Sequence, residues 1–140
     1  MFLLRKGNQM ATWQDVRSYV HSNYKVEDID PDMMKMLFDA GNGRSQLIYV
    51  GHIDLSHANM GEWLTYFSAF SNTDQVTAHV VLSVASDNTM FGITQMAGMY
   101  GVRHVAPMVN LDANEIEDPL IAVVWSADTL EKMLIGGDAF

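Results

Sequence analysis

Residues 63–86 read WLTYFSAFSNTDQVTAHVVLSVAS, and the change of period inside this stretch decides the fold class. From Trp63 to Ser71, Trp63, Thr65 and Phe67 fall on one face and Leu64, Tyr66 and Phe70 mostly on the other, the spacing of a strand rich in β-formers. Asn72-Thr73-Asp74-Gln75 then offers a cap, with an Asn side chain for backbone N–H groups and a Gln to reach back, and predicts a helix running to about Ser86. That helix is apolar almost all round. Val76, Val80 and Val84 make one face, Ala78, Val81, Leu82 and Ala85 cover most of the other, and no charge occurs from Gln75 to Ser86. One sheet buries one face of a helix, so the second face is expected to meet a covering segment or another chain. Ala78, Val81, Leu82 and Ala85 are the expected interface of a homodimer.

Upstream, Thr12-Trp13-Gln14-Asp15 is a capping-box pattern, and Trp13, Val16 and Val20 recur at helical spacing, predicting a helix from Trp13 to about Asn23. From Asp32 the period changes: Met34, Met36 and Phe38 alternate with Met33, Lys35 and Leu37 up to Ala40-Gly41-Asn42-Gly43, a tight-turn sequence. A second strand is expected from Gln46 to about Asp54. Downstream, Phe91–Met96 and Val102–Leu111 read as two further strands joined around Gly98 and Gly101, with Pro107 requiring an edge position or a bulge. Asp118-Pro119 reads as a helix start. Leu120, Val123, Val124, Ala127, Leu130 and Leu134 form its apolar stripe, and Gly136-Gly137 its stop. The expected order is α-β-β-β-α-β-β-α, an α+β fold with a five-stranded antiparallel sheet and helices packed on it. Topology and length exclude Rossmann and TIM-barrel architectures.

The chain has 140 residues, 49% of them hydrophobic, enough for a single core. Residues 12–140 are read as one domain. Residues 1–11, in which an apolar triplet precedes Arg5-Lys6 and no stretch long enough for a secretion signal follows, are read as an extension, disordered or vector-derived, or as an alternative start. With no cysteine, thiol nucleophiles, iron–sulfur ligation and a disulfide framework are excluded, and the expected compartment is the cytoplasm. Eight Lys and Arg against 17 Asp and Glu give a net charge of -9, which opposes binding to nucleic acid or an anionic membrane surface. No segment approaches the roughly 20 apolar residues of a membrane span.

Little in the chain carries catalytic chemistry. His52-Ile53-Asp54-Leu55-Ser56-His57 gathers ligand-type residues, with His52 and Asp54 on one strand face, and admits two readings: a metal or general-base site, or a strand end turned to solvent. His21, His79 and His104 have ordinary positions at a helix end, on a polar strip and within a strand. Ser56, Ser68, Ser83 and Ser126 lack a nucleophile elbow. Gly41-Asn42-Gly43 leads into a strand and so does not form a phosphate loop at a helix start. Glu115 and Glu117 sit at a helix start, where negative charge suits the dipole. No catalytic, metal or cofactor-binding residue is therefore expected, and no cofactor.

Methionine is frequent, at 11 residues, with Met33, Met34 and Met36 on one strand and Met90, Met96, Met99 and Met108 around the last hairpin. Flexible thioethers either fill a core or adapt to varied apolar partners. On the second reading Met96, Met99, Tyr100 and Met108 are the expected partner-binding residues beside an exposed strand edge. Their solvent accessibility decides between the two.

The order of elements, the aromatic strand Trp63–Phe70 leading into an apolar middle helix, and a closing helix containing Ala127-Asp128-Thr129-Leu130-Glu131 resemble the bacterial YbjN family of the type III secretion chaperone-like superfamily. The resemblance covers about Thr12 to Gly137; the Met1–Gln9 extension departs from it, and no secretion-system context is visible in the sequence. It implies a small, acidic, dimeric protein that binds extended segments of other proteins, in a branch described as regulators of sensory transduction, with no catalytic residue to carry over. The expected function is thus a non-enzymatic peptide- or protein-binding module, chaperone-like and dimeric. The alternatives are a small-molecule-responsive regulator with a pocket between helix and sheet, and a small hydrolase or metal-dependent enzyme using His52, Asp54 and His57.

Overall fold

In the computed structural model, which describes residues 12–136, the Thr12 side chain accepts the Asp15 N–H at 3.1 Å and starts α1 (Trp13–Asn23) where the capping pattern places it. The residue 1–11 extension lies outside the described residues. After α1 come β1 (Val26–Asp30), β2 (Met33–Gly41), β3 (Arg44–Asp54), a single 3-10 turn at Ser56–Ala58, and β4 (Glu62–Asn72). Then follow α2 (Ala78–Asn88), β5 (Gly92–Met96), β6 (Met99–Pro107) and α3 (Ala113–Leu134).

The strands form one six-stranded antiparallel sheet in the order β1-β2-β3-β4-β6-β5. The α+β class holds, but the expectation of five strands in the order α-β-β-β-α-β-β-α is overturned: the chain runs α-β-β-β-β-α-β-β-α. The additional strand is β1, whose sequence VEDID has three carboxylates and almost no inward face. Its side chains are held from outside the strand. Arg17 Nη2 and His21 Nε2 of α1 meet Asp28 at 2.9 and 3.0 Å, and Lys35 Nζ of β2 meets Glu27 at 3.2 Å. Composition alone disfavours such a strand, whereas pairing with β2 and the helix cations supply what β-propensity does not.

Three further boundaries shift. Asn72–Gln75 does make the reciprocal bond its sequence promises, the Asn72 N–H donating to Gln75 Oε1 at 2.8 Å, but it closes a turn. The helix starts later, at Ala78, with Thr77 as its cap. β6 begins at Met99, after an Ala97-Gly98 turn with positive φ at both residues, and is an inner strand for its first half. β5 pairs only as far as Arg103, so among the described residues the overhanging end of β6 has no strand on its outer side, and Pro107 finds there the edge position it needs. α3 starts at Ala113 and is capped by Asp112, whose carboxylate accepts the Glu115 N–H at 2.9 Å, and Pro119 lies inside the helix and not at its start.

The helices cover one face of the sheet. Trp13, Val16 and Val20 of α1 and Ile116, Leu120, Val123, Val124, Ala127 and Leu130 of α3 bury Met34, Met36, Ile48, Val50, Leu64, Tyr66 and Val102. The alternation read in β2 and β4 is the one observed, with Met34 and Met36 inside and Leu37 exposed. α1 is tied to α3 by the Tyr19 hydroxyl, which donates to Glu117. That bond, with burial and the Glu117 charge behind it, pushes the Tyr19 hydroxyl up to about 12. Burial, and after it a bond to the same carboxylate, raises Tyr24 also. Glu117 therefore does more than complement a helix dipole.

Candidate functional site

Because side chains alternate across a strand, the core residues of the sheet leave neighbours on the opposite face, where none of the described helices packs. Two cross-strand rows build that face: Met33, Gly51 and Thr65 across β2, β3 and β4, and Tyr49, Phe67 and Arg103 across β3, β4 and β6. They floor a concave groove of about 450 Å³, with Asp30 and Asp32 at the β1–β2 end and Thr94, Gln95, Met96 and Ala97 of the β5–β6 hairpin at the other. Glycine makes the floor low. A Cβ on Gly51 would lie 3.0 Å from Thr65 Cγ2, and one on Gly101 would enter the Phe67 ring and approach Ser68 O to 2.9 Å. Phe67 fills the space over Gly101 and is itself buried.

Arg103 is the cation among the groove-lining residues; Lys35, in the same row beside Tyr49, is paired with Glu27. Its Nε donates to Thr65 Oγ1 at 3.3 Å. At the acidic end, His52 sits between Glu62, 2.8 Å from Nε2, and Asp32, 3.4 Å from Nδ1, and its ring stacks on Trp13 with centroids 5.3 Å apart. Trp13 Nε1 donates to Pro31 O at 2.8 Å, so α1 braces this rim.

The residues singled out in the sequence are distributed differently from expectation. Met96, at 41% exposure, and Met99 line the groove, while Met108, at 1%, belongs to the core and Tyr100 packs against the core as well. The four do not share a surface, because Tyr100 alternates away from Met99 and Met108 follows the end of β6. Of the four dimer residues, Val81 (1% exposed) and Ala85 are buried within the chain, whereas Ala78 and Leu82 face solvent. His52 and His57 both lie within electrostatic reach of Asp54, but no hydrogen bond joins the three side chains. His52 is taken up by Glu62 and Asp32, and the Ser56 hydroxyl and N–H hold the Asp54 carboxyl below its usual range while His57 is exposed in the 3-10 turn. Among the described residues no group of three or more His, Asp or Glu side chains is arranged to hold a metal ion. Likewise, no described helix is long and apolar enough to cross a membrane.

Sequence reading missed Tyr49, Phe67 and Arg103 as neighbours. Alternation placed Phe67 on the face away from Leu64, Tyr66 and Phe70, but only the β4–β6 pairing, a long-range crossover around α2, brings Arg103 beside it. No family model, curated protein or solved structure matches this chain. The resemblance to the YbjN family therefore rests on the sequence pattern alone, and the added strand β1 departs from it.

Proposed function

We propose that this chain is a non-enzymatic binding module that holds an apolar segment of another protein on the open face of its sheet. The observation that carries this reading is the preformed groove: a concave, mainly apolar surface in which Met33, Tyr49, Met96 and Met99 stand outside the core and beside the edge strand β5. Thioethers adapt to varied apolar shapes, and an unpaired strand edge offers main-chain partners to an extended segment. The YbjN-like expectation of a chaperone-like, regulatory protein agrees with this role, and the site moves from the Met96–Met108 hairpin to the groove.

The module is proposed to act as a homodimer. Leu82 is 56% and Trp125 65% exposed, and both lie in uncharged runs, Gln75–Ser86 and Pro119–Ala127. Two copies of a chain with net charge -9 can meet there without bringing like charges together. The groove volume of about 450 Å³ also lies in the range of small-molecule sites, which keeps a regulator with a small apolar ligand as the second reading. Its pocket would then be on the open face and not between helix and sheet.

Methionine-methyl NMR on the full chain tests the first reading. Peptides selected from a random display library are expected to shift the Met33, Met96 and Met99 methyl signals and to leave those of Met34, Met36 and Met108 in place. A library that yields no binder, or binders that leave the groove methyls unmoved, overturns it.

A further inference from the structure

Arg103 stands on the floor of an apolar groove in a chain that has 17 acidic residues against eight basic ones. In such a chain basic side chains readily find carboxylates, and Arg17, Lys35, Arg44 and Lys132 each do so. Among the described residues Arg103 and Lys25 have no carboxylate within 4.0 Å. Lys25 is exposed in the connection between α1 and β1, outside the groove. Arg103 is held in place by its Nε bond to Thr65, opposite Phe67 in the register. That bond uses one N–H and leaves the paired Nη edge of the guanidinium for another acceptor.

An apolar segment laid over this floor removes water from the guanidinium, and a cation covered without a partner is costly. The segment must therefore bring its own acceptor. A carboxylate answers that need better than a neutral group, because it takes two parallel N–H bonds from one guanidinium edge. At the other end of the groove the charge is reversed. Asp30 at the end of β1 and Asp32 in the β1–β2 turn lie three to four strand spacings from Arg103, roughly 14–19 Å, so a second acid at that end would be repelled. The net charge of -9 does not cancel this local preference, since at physiological salt it is screened beyond roughly 8 Å.

We infer that the groove selects an apolar protein segment bearing one Asp or Glu side chain, whose carboxylate is received by the Nη edge of Arg103. This rests on the peptide-binding reading and specifies the chemistry of its partner.

The test pans a random decapeptide display library against the full chain and against Arg103→Gln and Arg103→Glu, with circular dichroism confirming that each variant is folded. The wild-type chain is expected to enrich apolar peptides with one acidic residue, and Arg103→Glu to lose that enrichment. For one selected synthetic peptide, replacing its acidic residue by the amide is expected to weaken binding about tenfold or more, with little further loss when combined with Arg103→Gln. Apolar binders without an acidic preference, or an acidic preference unchanged in Arg103→Glu, overturn the inference and leave the peptide-binding reading standing. No enrichment on any of the three proteins overturns both.

Discussion

Arg44 Nε donates to Asp128 Oδ1 at 2.7 Å, joining the first residue of β3 to α3 across 84 positions of sequence. The same guanidinium reaches Glu131 Oε1 at 3.0 Å through Nη2, and Lys132 Nζ meets the second Asp128 oxygen at 3.1 Å. Both carboxylates are buried. The hairpin between β2 and β3 is thereby fixed to the end of the long helix.

Replacing Arg44 by Met keeps the length of the stem and removes the charge. Asp128 and Glu131 then lose their shared guanidinium in a dry setting, which is expected to destabilise the fold by about 3–5 kcal/mol. Urea unfolding of Arg44→Met against wild type measures it. A loss below about 1 kcal/mol, the value of an exposed pair, would show that water reaches these carboxylates freely.

The two faces of α2 give opposite expectations for neighbouring residues. Val81 is buried against the core, so Val81→Asp places a carboxylate among apolar side chains and is expected to abolish or severely weaken folding. Leu82 is exposed, so Leu82→Asp is expected to leave the circular dichroism spectrum unchanged and to convert a dimer into a monomer in sedimentation velocity. A wild-type chain that sediments as a monomer at micromolar concentration removes the proposed dimer.

Much of the fold was legible because local signals and tertiary structure agree. Thr12 caps α1, Asn42-Gly43 turns the β2–β3 hairpin, and Met34 and Met36 alternate inward. Where they disagree, the missing information was long-range. VEDID becomes a strand because β2, Arg17 and Lys35 lie beside it, and Asn72–Gln75 closes a turn while the helix waits for Thr77. The groove was illegible for the same reason. Met33, Phe67 and Arg103 come from three strands whose adjacency depends on the order β2-β3-β4-β6, and no spacing along the chain encodes that order.

Gly101 is occupied by its neighbour's ring. A methyl at this position meets Phe67 and lies 2.9 Å from the Ser68 carbonyl oxygen, so Gly101→Ala must displace the ring or bend β6. The expected cost is about 1–3 kcal/mol, the range of overpacked sites. Thermal unfolding of Gly101→Ala, Phe67→Leu and the double variant checks the cause. A double variant more stable than the sum of the single losses identifies the ring clash, whereas strict additivity would place the strain in the backbone.

Stability should fall toward both acid and alkali, for different residues. Burial holds His104 below the ordinary histidine value, beside the rings of Tyr66 and Phe91. On acidification the unfolded chain takes up this proton first, at about 6.5, so stability is full above that pH and declines as pH falls through the lower folded value. Tyr19 has the reverse sign. Its hydroxyl is pushed up to about 12 by the bond to Glu117, so the unfolded chain loses the proton first, near pH 10. That contribution is present below pH 10 and is lost as pH rises toward 12. Urea unfolding as a function of pH is expected to show a shoulder below 6.5 that disappears in His104→Phe and an alkaline decline that shrinks in Tyr19→Phe. An acid shoulder of equal size in His104→Phe would assign the proton uptake to another group.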